Sequence, residues 1–238
     1  MLLELSQITL NLRRLLESKK NKNLKAWISA ARPRTLPLAL SCILMGTFLA
    51  ASQGEFSWSV FGLAILTTVL LQVLSNFAND YGDTQNGADS QDRVGPVRAV
   101  QSGIISNKQM WKAILITGSL SFLAGLALLY VSFGSNHLNE LFIFLGLGVG
   151  CILAAYFYTA GSRPYGYAGL GDISVLVFFG LIGVLGVAYL YQKTLVNSHL
   201  LPALSCGLLA TGVLNLNNIR DINSDASTGK ITIPVRLG

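Results

Sequence analysis

The sequence predicts an all-α fold, a polytopic bundle of membrane-spanning helices, and two observations support this prediction. Of its 238 residues, 52% are hydrophobic and only 12% are charged, whereas a soluble domain usually carries about 25% charged residues. Six stretches lack Asp, Glu, Lys and Arg, and each has the roughly 20 residues with which a helix spans a bilayer core. These stretches are Thr35–Gly54, Phe56–Asn79, Ala113–Asn139, Leu141–Ser162, Ile173–Gln192 and Thr194–Ile219. The alternative, a soluble protein with a buried core, is disfavoured because too little polar sequence remains to cover that core.

The distribution of basic residues predicts the orientation of the bundle. If the N-terminus lies in the cytoplasm, all of the 17 Lys and Arg residues except Lys193 fall on the cytoplasmic side, as the positive-inside rule requires. The net charge of +6 is then explained by attraction to anionic lipid at that face. Nucleic acid is therefore not an expected partner, and the lipid bilayer is.

Neither the N-terminal segment nor the cysteines suggest a catalytic or metal-binding site. No apolar segment precedes the first basic residues, so we predict no cleavable signal peptide. We divide the chain into a basic cytoplasmic N-terminal segment, residues 1–25, and a transmembrane domain, residues 26–238. Cys42, Cys151 and Cys206 all fall inside predicted spans without CxxC spacing, and we interpret them as small apolar residues.

An acidic cluster follows the second charge-free run, in the stretch NFANDYGDTQNGADSQDR (76–93). It consists of Asp80, Asp83, Asp89 and Asp92. Carboxylates held close together favour a hard divalent cation such as Mg²⁺, and no His or Cys set accompanies them as zinc would require. The alternative interpretation is an ordinary solvated loop, and for Asp92 a role supporting the neighbouring Arg93 is the better prediction.

A second polar cluster ends the sixth span on the same face of the membrane. It consists of Asn217, Asn218, Arg220, Asp221, Asn223 and Asp225, and Lys230 follows it. Two Mg²⁺-carboxylate sites with a diphosphate between them would neutralise the anion and stabilise it as a leaving group; a capped polar helix end is the alternative. Four basic residues, Arg93, Arg98, Arg163 and Lys230, could contact phosphate oxygens or could simply anchor the protein at the membrane surface.

The segment GSRPYGYAGLGDISVLVFFG (161–180) contains a third group of candidate residues. Asp172 stands at the edge of the fifth span. Four tyrosines cluster near it: Tyr156 and Tyr158 precede the segment, and Tyr165 and Tyr167 lie within it. They fit either an interfacial aromatic belt or an aromatic wall that stabilises a carbocation through cation–π attraction.

Several motifs resemble the UbiA superfamily of intramembrane prenyltransferases. They are ARPRTLPLA (31–39), NDYGD (79–83), DRVGPVRAVQSG (92–103), RPYGYAGLGDISVLVFFG (163–180) and LNLNNIRDINSDASTGKITIPVRLG (214–238). The likeness covers about residues 26–238 and is strongest to the branch that prenylates 1,4-dihydroxy-2-naphthoate in menaquinone synthesis. Gly87 stands where this family usually has a further aspartate, and Asp89 is expected to take its place. The family has nine transmembrane helices and six are predicted here, so the chain is expected to be incomplete at its C-terminus.

The resemblance implies an Mg²⁺-dependent enzyme of a bacterial plasma membrane with its active site in the cytoplasm. Its expected substrates are a polyprenyl diphosphate and 1,4-dihydroxy-2-naphthoate, with loss of CO₂ and formation of demethylmenaquinone. The implied metal ligands are Asp80, Asp83, Asp89, Asp221 and Asp225, of which all but Asp89 are also expected to be catalytic. The implied diphosphate contacts are Asn79, Arg93, Arg98, Arg163 and Lys230, and the acceptor contacts are Asp172 and Tyr158.

Three alternatives remain open from the sequence. The enzyme could prenylate another aromatic acceptor such as 4-hydroxybenzoate, or could use a phytyl donor. The chain could also be a non-catalytic membrane fragment. A cation-coupled transporter is disfavoured because such sites lie near the bilayer midplane, whereas the acids here lie at the predicted membrane edges.

Overall fold

The computed structural model describes residues 20–88 and 97–238, and this part of the chain is entirely helical apart from its turns and connections. Six helices are long and apolar enough to cross a membrane, which confirms the predicted fold class. They are α1 (Lys20–Ala51), α2 (Trp58–Gln85), α3 (Asn107–Phe133), α4 (Leu138–Phe157), α5 (Gly171–Gln192) and α6 (Asn197–Arg220). Two short helices follow, α7 (Ile222–Ser227) and α8 (Ile233–Leu237).

The outer surface of the bundle is apolar, as a lipid-facing surface should be. Helix α4 has no buried residue and exposes large side chains that include Phe142, Ile143 and Leu153. An apolar surface of this extent is unusual for a soluble monomer. The protein is therefore a multi-pass membrane protein.

Helices α1 and α2 extend well beyond the charge-free runs that predicted them. Helix α2 continues to Gln85, so Asp80 and Asp83 lie on its last turns and not in a following loop. Residues 20–25 belong to α1, and residues 1–19 of the predicted N-terminal segment lie outside the described part. Charge-free runs mark only the part of a helix that lies in hydrocarbon, whereas backbone hydrogen bonding continues into the polar interface.

Helix α1 is interrupted where the sequence reads ARPRT. Arg32 has a left-handed backbone (φ 49°), and a 3₁₀ turn follows at Pro33–Thr35. The side chain of Asn76, on α2, donates to the carbonyl oxygen of Ala31 (2.8 Å) and to the Thr35 hydroxyl (3.1 Å). This 2% exposed asparagine therefore satisfies the backbone group that the interruption leaves open.

Helix α5 is unusually wide in its middle. Residues Leu176–Gly186 have π-helical hydrogen bonding, flanked by α-helical turns at Gly171–Val175 and Val187–Gln192. This wide part lies against α6: a Cβ atom added at Gly180 would stand 2.7 Å from the carbonyl oxygen of Ala203. Glycine is required there because the two backbones approach too closely for any side chain.

All six long helices line a central cavity of about 410 Å³, and most of its surface is apolar. Asn79, Tyr158 and Asn217 line one end by their positions along the helices, the end at which α2 and α6 finish. Leu128 and Leu190 line the opposite end. The cavity is therefore suited to a long apolar group whose polar head lies near the ends of α2 and α6.

Candidate active site

Most of the predicted site residues that the structure describes lie at one end of the bundle, where α2 and α6 finish. The end of α2 supplies two aspartates, and the end of α6 with α7 supplies two more. Three connecting segments contact them: residues 97–105, the 3₁₀ turn Tyr165–Ala168 and residues 228–232. Short connections therefore complete a site whose acids are held on helices.

Asp83 is bound by two side chains from different connections. Its Oδ2 accepts from Nη2 of Arg98 at 2.6 Å, and its Oδ1 accepts from the Tyr167 hydroxyl at 2.8 Å. The Asp83 and Arg98 side chains are only 5% and 9% exposed. Because the pair is shielded from water, its attraction is stronger than that of a surface ion pair.

Asp225 lies in α7 and pairs with Lys230, whose Nζ is 3.4 Å from Oδ1. Its second oxygen, Oδ2, is buried and has no hydrogen-bond partner among the described residues. Burial raises the pKa of the Asp225 carboxyl above its ordinary value; Lys230 counteracts this, and the charges of Asp221 and Asp83 raise the pKa further. The two acidic clusters therefore lie within electrostatic range of each other.

Tyr167 links the two clusters. Its hydroxyl donates to Asp83, and its ring lies 5.8 Å from the Nζ of Lys230, the partner of Asp225. Its backbone carbonyl accepts from the amide of Ile231 at 3.0 Å. The sequence placed Tyr167 in an aromatic group near the site but gave no signal that it contacts an aspartate.

Asp80 and Asp221 have different surroundings. Asp80 is 1% exposed, and its two oxygens accept from the backbone amides of Ala99 (3.2 Å) and Val100 (3.3 Å). Asp221 accepts two hydrogen bonds from Arg220, at 2.8 and 2.6 Å. Asp80 therefore contacts a connecting segment, whereas Asp221 contacts the end of its own helix.

Asp172 and Tyr158 lie between the acids and the cavity. Asp172 accepts from the side chain of Asn215 on α6, and Tyr158 lines the cavity and packs edge-on against Tyr165 at 5.3 Å. Burial raises the pKa of Tyr158, and Asp83, Asp172 and Asp225 are among the acids that raise it further. Tyr158 is therefore held as a neutral phenol, and Asn215 is a partner that sequence reasoning missed.

The remaining predicted contacts are distributed differently. Asn79 lines the cavity and accepts from the Thr159 hydroxyl at 3.0 Å. Arg163 is exposed and makes no ion pair with any described residue. Asp89, Asp92 and Arg93 lie outside the described residues. The roles predicted for these four charged residues stay predictions.

The donors at this site are suited to a hard cation. In the described ranges, no three His, Cys, Asp or Glu side chains converge as a ready ligand set. Asp83 and Asp225 are instead paired with Arg98 and Lys230. The buried Oδ2 of Asp225 nevertheless has no hydrogen-bond donor among the described residues. Mg²⁺ is typically held by one or two carboxylates together with phosphate oxygens of a substrate, so the residues fit this ion.

Comparison with known proteins assigns the family. The sequence of residues 39–238 matches the UbiA prenyltransferase family. The chain belongs to this family. This UbiA prenyltransferase is 54% identical, over 90% of its length and 69% of the relative's, to the 1,4-dihydroxy-2-naphthoate octaprenyltransferase of Escherichia coli (strain K12).

Two further relatives carry the same name. The Haemophilus influenzae protein is 51% identical over 94% of this chain and 73% of its own length. The Mycobacterium tuberculosis protein is 42% identical over 89% of this chain and 70% of its own length. The UbiA prenyltransferase described here therefore shares most of its length with enzymes named for one acceptor.

Proposed function

We propose that the protein transfers a polyprenyl group from polyprenyl diphosphate to 1,4-dihydroxy-2-naphthoate, with loss of CO₂. The observation that supports this most directly is that Asp83 and Asp225 lie close to each other and to Tyr158, which lines one end of the apolar cavity. A lipid diphosphate needs both parts, a polar end and an apolar channel. The names of the relatives support the naphthoate as the acceptor.

The charged residues divide between metal and phosphate binding in this proposal. Asp83, Asp221 and Asp225 would hold Mg²⁺, which would neutralise the diphosphate and make it a better leaving group. Arg98 and Lys230 are the partners of two of these acids. They would turn to phosphate oxygens when the donor binds, because Arg and Lys both bind phosphate well.

The cavity provides conditions for the reaction itself. The allylic C–O bond breaks, and diphosphate leaves with the electron pair. Tyr158 and Tyr165 present aromatic rings beside the cavity, where they can stabilise the allylic cation. The apolar walls keep water from this cation. The naphthoate ring forms the new C–C bond and becomes aromatic again as CO₂ is released, which gives the quinol form of demethylmenaquinone.

A direct assay tests this function. The protein in membrane vesicles receives Mg²⁺, a labelled polyprenyl diphosphate and either 1,4-dihydroxy-2-naphthoate or 4-hydroxybenzoate. We expect a prenylated, decarboxylated product from the naphthoate. Preferential product from 4-hydroxybenzoate would replace the proposed acceptor, and absence of product from both acceptors would contradict the enzyme assignment.

Asp172 is proposed to orient the acceptor. Asp172→Asn removes the charge from the Asp172–Asn215 contact and is expected to raise the KM for the naphthoate at least about tenfold, as for lost hydrogen bonds to charged groups. The KM for the prenyl donor should change little. Steady-state kinetics with each substrate varied separately measure the difference. Ile173→Val, at the neighbouring 63% exposed position, is the matched control, and an equal rise in both KM values would argue against an acceptor role.

The proposed orientation places this site in the cytoplasm of a bacterial cell. In a protein whose native cysteines are replaced, Asn223→Cys on α7 should react with a membrane-impermeant maleimide only in inside-out vesicles. Ser135→Cys, between α3 and α4, should react only from the other side. Both positions are exposed, so accessibility depends on sidedness alone, and the reverse labelling pattern would invert the topology.

A further inference from the structure

We propose that Asp80 is a positioning residue that holds residues 97–105 against the site and acts through Arg98, and that it is not a metal ligand. This inference rests on the proposed function, because Arg98 is taken to contact the diphosphate. It separates two aspartates that lie three residues apart and that sequence reasoning treated as equivalent ligands.

Asp80 lies at the edge of the α2 face that lines the cavity. Asn76 and Asn79 both line the cavity, and Asp83 follows Asn79 by four residues, so it lies on the same helical face. With 3.6 residues per turn, Asp80 lies about 40° beyond Asn76, at the edge of that face. There its carboxylate accepts hydrogen bonds from backbone amides.

Both carboxylate oxygens of Asp80 accept hydrogen bonds. They accept from two consecutive amides, those of Ala99 and Val100, at 3.2 and 3.3 Å. Each carboxylate oxygen keeps a second lone pair, but Asp80 is only 1% exposed, and the two amides belong to buried residues whose hydrogen bonds depend on it. Buried amides without partners are strongly unfavourable, so this arrangement favours an anchoring role.

The anchored segment is a packed structural unit. Ala99, Val100 and Ile105 belong to the same apolar cluster as Ala30 of α1 and Phe77 of α2. The amide of Ile105 donates to the carbonyl oxygen of Ala99 at 3.3 Å, and Gly103, with φ 71°, closes a turn onto Val100. The apolar side chains of this segment are therefore held by packing in the bundle, and its backbone next to Arg98 is held by Asp80.

Arg98 immediately precedes the anchored amides, so their position determines where its guanidinium lies. Its Nη2 is 2.6 Å from Asp83 Oδ2, and its side chain is 9% exposed. A guanidinium held in this way is preorganised to bind phosphate oxygens. Asp80 therefore holds the backbone of Ala99 and Val100. This backbone positions Arg98, and Arg98 contacts the prenyl donor.

The test compares Asp80→Asn with Asp83→Asn in two measurements. Hydrogen exchange of residues 97–105, followed by mass spectrometry on the metal-free protein, should accelerate at least tenfold in Asp80→Asn because the carboxylate that holds two amides is lost.

In activity assays this variant should raise the KM for polyprenyl diphosphate, while the Mg²⁺ concentration for half-maximal rate stays within twofold. Asp83→Asn should instead raise that Mg²⁺ concentration. Asp221→Asn, in the other cluster, is the exchange control and should leave residues 97–105 protected.

Arg98→Ala provides a second variant that retains the anchor. It should reproduce the KM effect with Ala99 and Val100 still protected, and the double variant with Asp80→Asn should be no worse than Arg98→Ala alone. A Mg²⁺ shift in Asp80→Asn as large as in Asp83→Asn, or unchanged exchange of residues 97–105, would overturn the proposal. Exchange does not require turnover, so absence of prenyl transfer by the unsubstituted protein would contradict the proposed function and leave the role of Asp80 testable.

Discussion

Asp225→Asn is expected to lower the rate of prenyl transfer by about 10²–10³-fold, the loss typical when a group that stabilises developing charge is removed. Asp225 has a buried carboxylate oxygen without a hydrogen-bond partner among the described residues, and its other oxygen pairs with Lys230. The substitution keeps the shape of the side chain and removes only its charge. The rate should be measured at saturating Mg²⁺ and donor, so that weakened binding does not conceal the effect on the chemical step.

Asn223→Ala is the matched control for this substitution. It lies in the same short helix, is exposed, and should keep the activity of the unsubstituted protein. Nearly full activity in Asp225→Asn would exclude a direct role of this carboxylate and with it the proposed use of the second acidic cluster.

Gly82→Ala is expected to destabilise the fold and to abolish activity, although it adds only one methyl group. A Cβ atom at Gly82 would stand 2.4 Å from the carbonyl oxygen of Thr159, which is backbone and cannot rotate away. Overpacking of this kind typically costs about 1–3 kcal/mol. The shift would also separate α2 from the segment that leads to Tyr167, and so disturb the Asp83 contact. The unfolding temperature in detergent and the prenyl-transfer rate are the two measurements.

Gly62→Ala is the corresponding control because it lies on the same helix with nothing within 4 Å of the added Cβ atom. It should be neutral or slightly stabilising, since alanine is the better helix former. An unchanged unfolding temperature and rate in Gly82→Ala would show that α2 and Thr159 can separate without consequence.

The sequence was sufficient to predict what depends on composition. The six spans follow from the six runs without charged residues. The closeness of Asp83 and Asp225 follows from the prediction that two acidic stretches lie at the same membrane face. In contrast, the charge pattern did not show that α2 continues to Gln85, because helical hydrogen bonding does not end where the hydrocarbon ends.

Contacts between distant segments were not predictable in this way. The amides that Asp80 binds lie 19 and 20 residues away, and Tyr167 lies 84 residues from Asp83. No local propensity specifies such pairings. The π-helical turns of α5 were also missed, since its uniformly apolar sequence fits an α-helix equally well.

The separation between cavity walls and site partners has a practical consequence. The walls are helix faces, whereas the side chains that bind Asp83 and Asp225 come from the connecting segments around Arg98, Tyr167 and Lys230. Tail selection and the binding of the diphosphate head therefore depend largely on different residues, and Tyr158 and Tyr165 are the cavity-lining residues that also serve the reaction. An engineer could remodel the walls to accept another isoprenoid length, for example at cavity-lining Gly148, where an added Cβ atom meets nothing within 4 Å, and leave the reactive centre untouched.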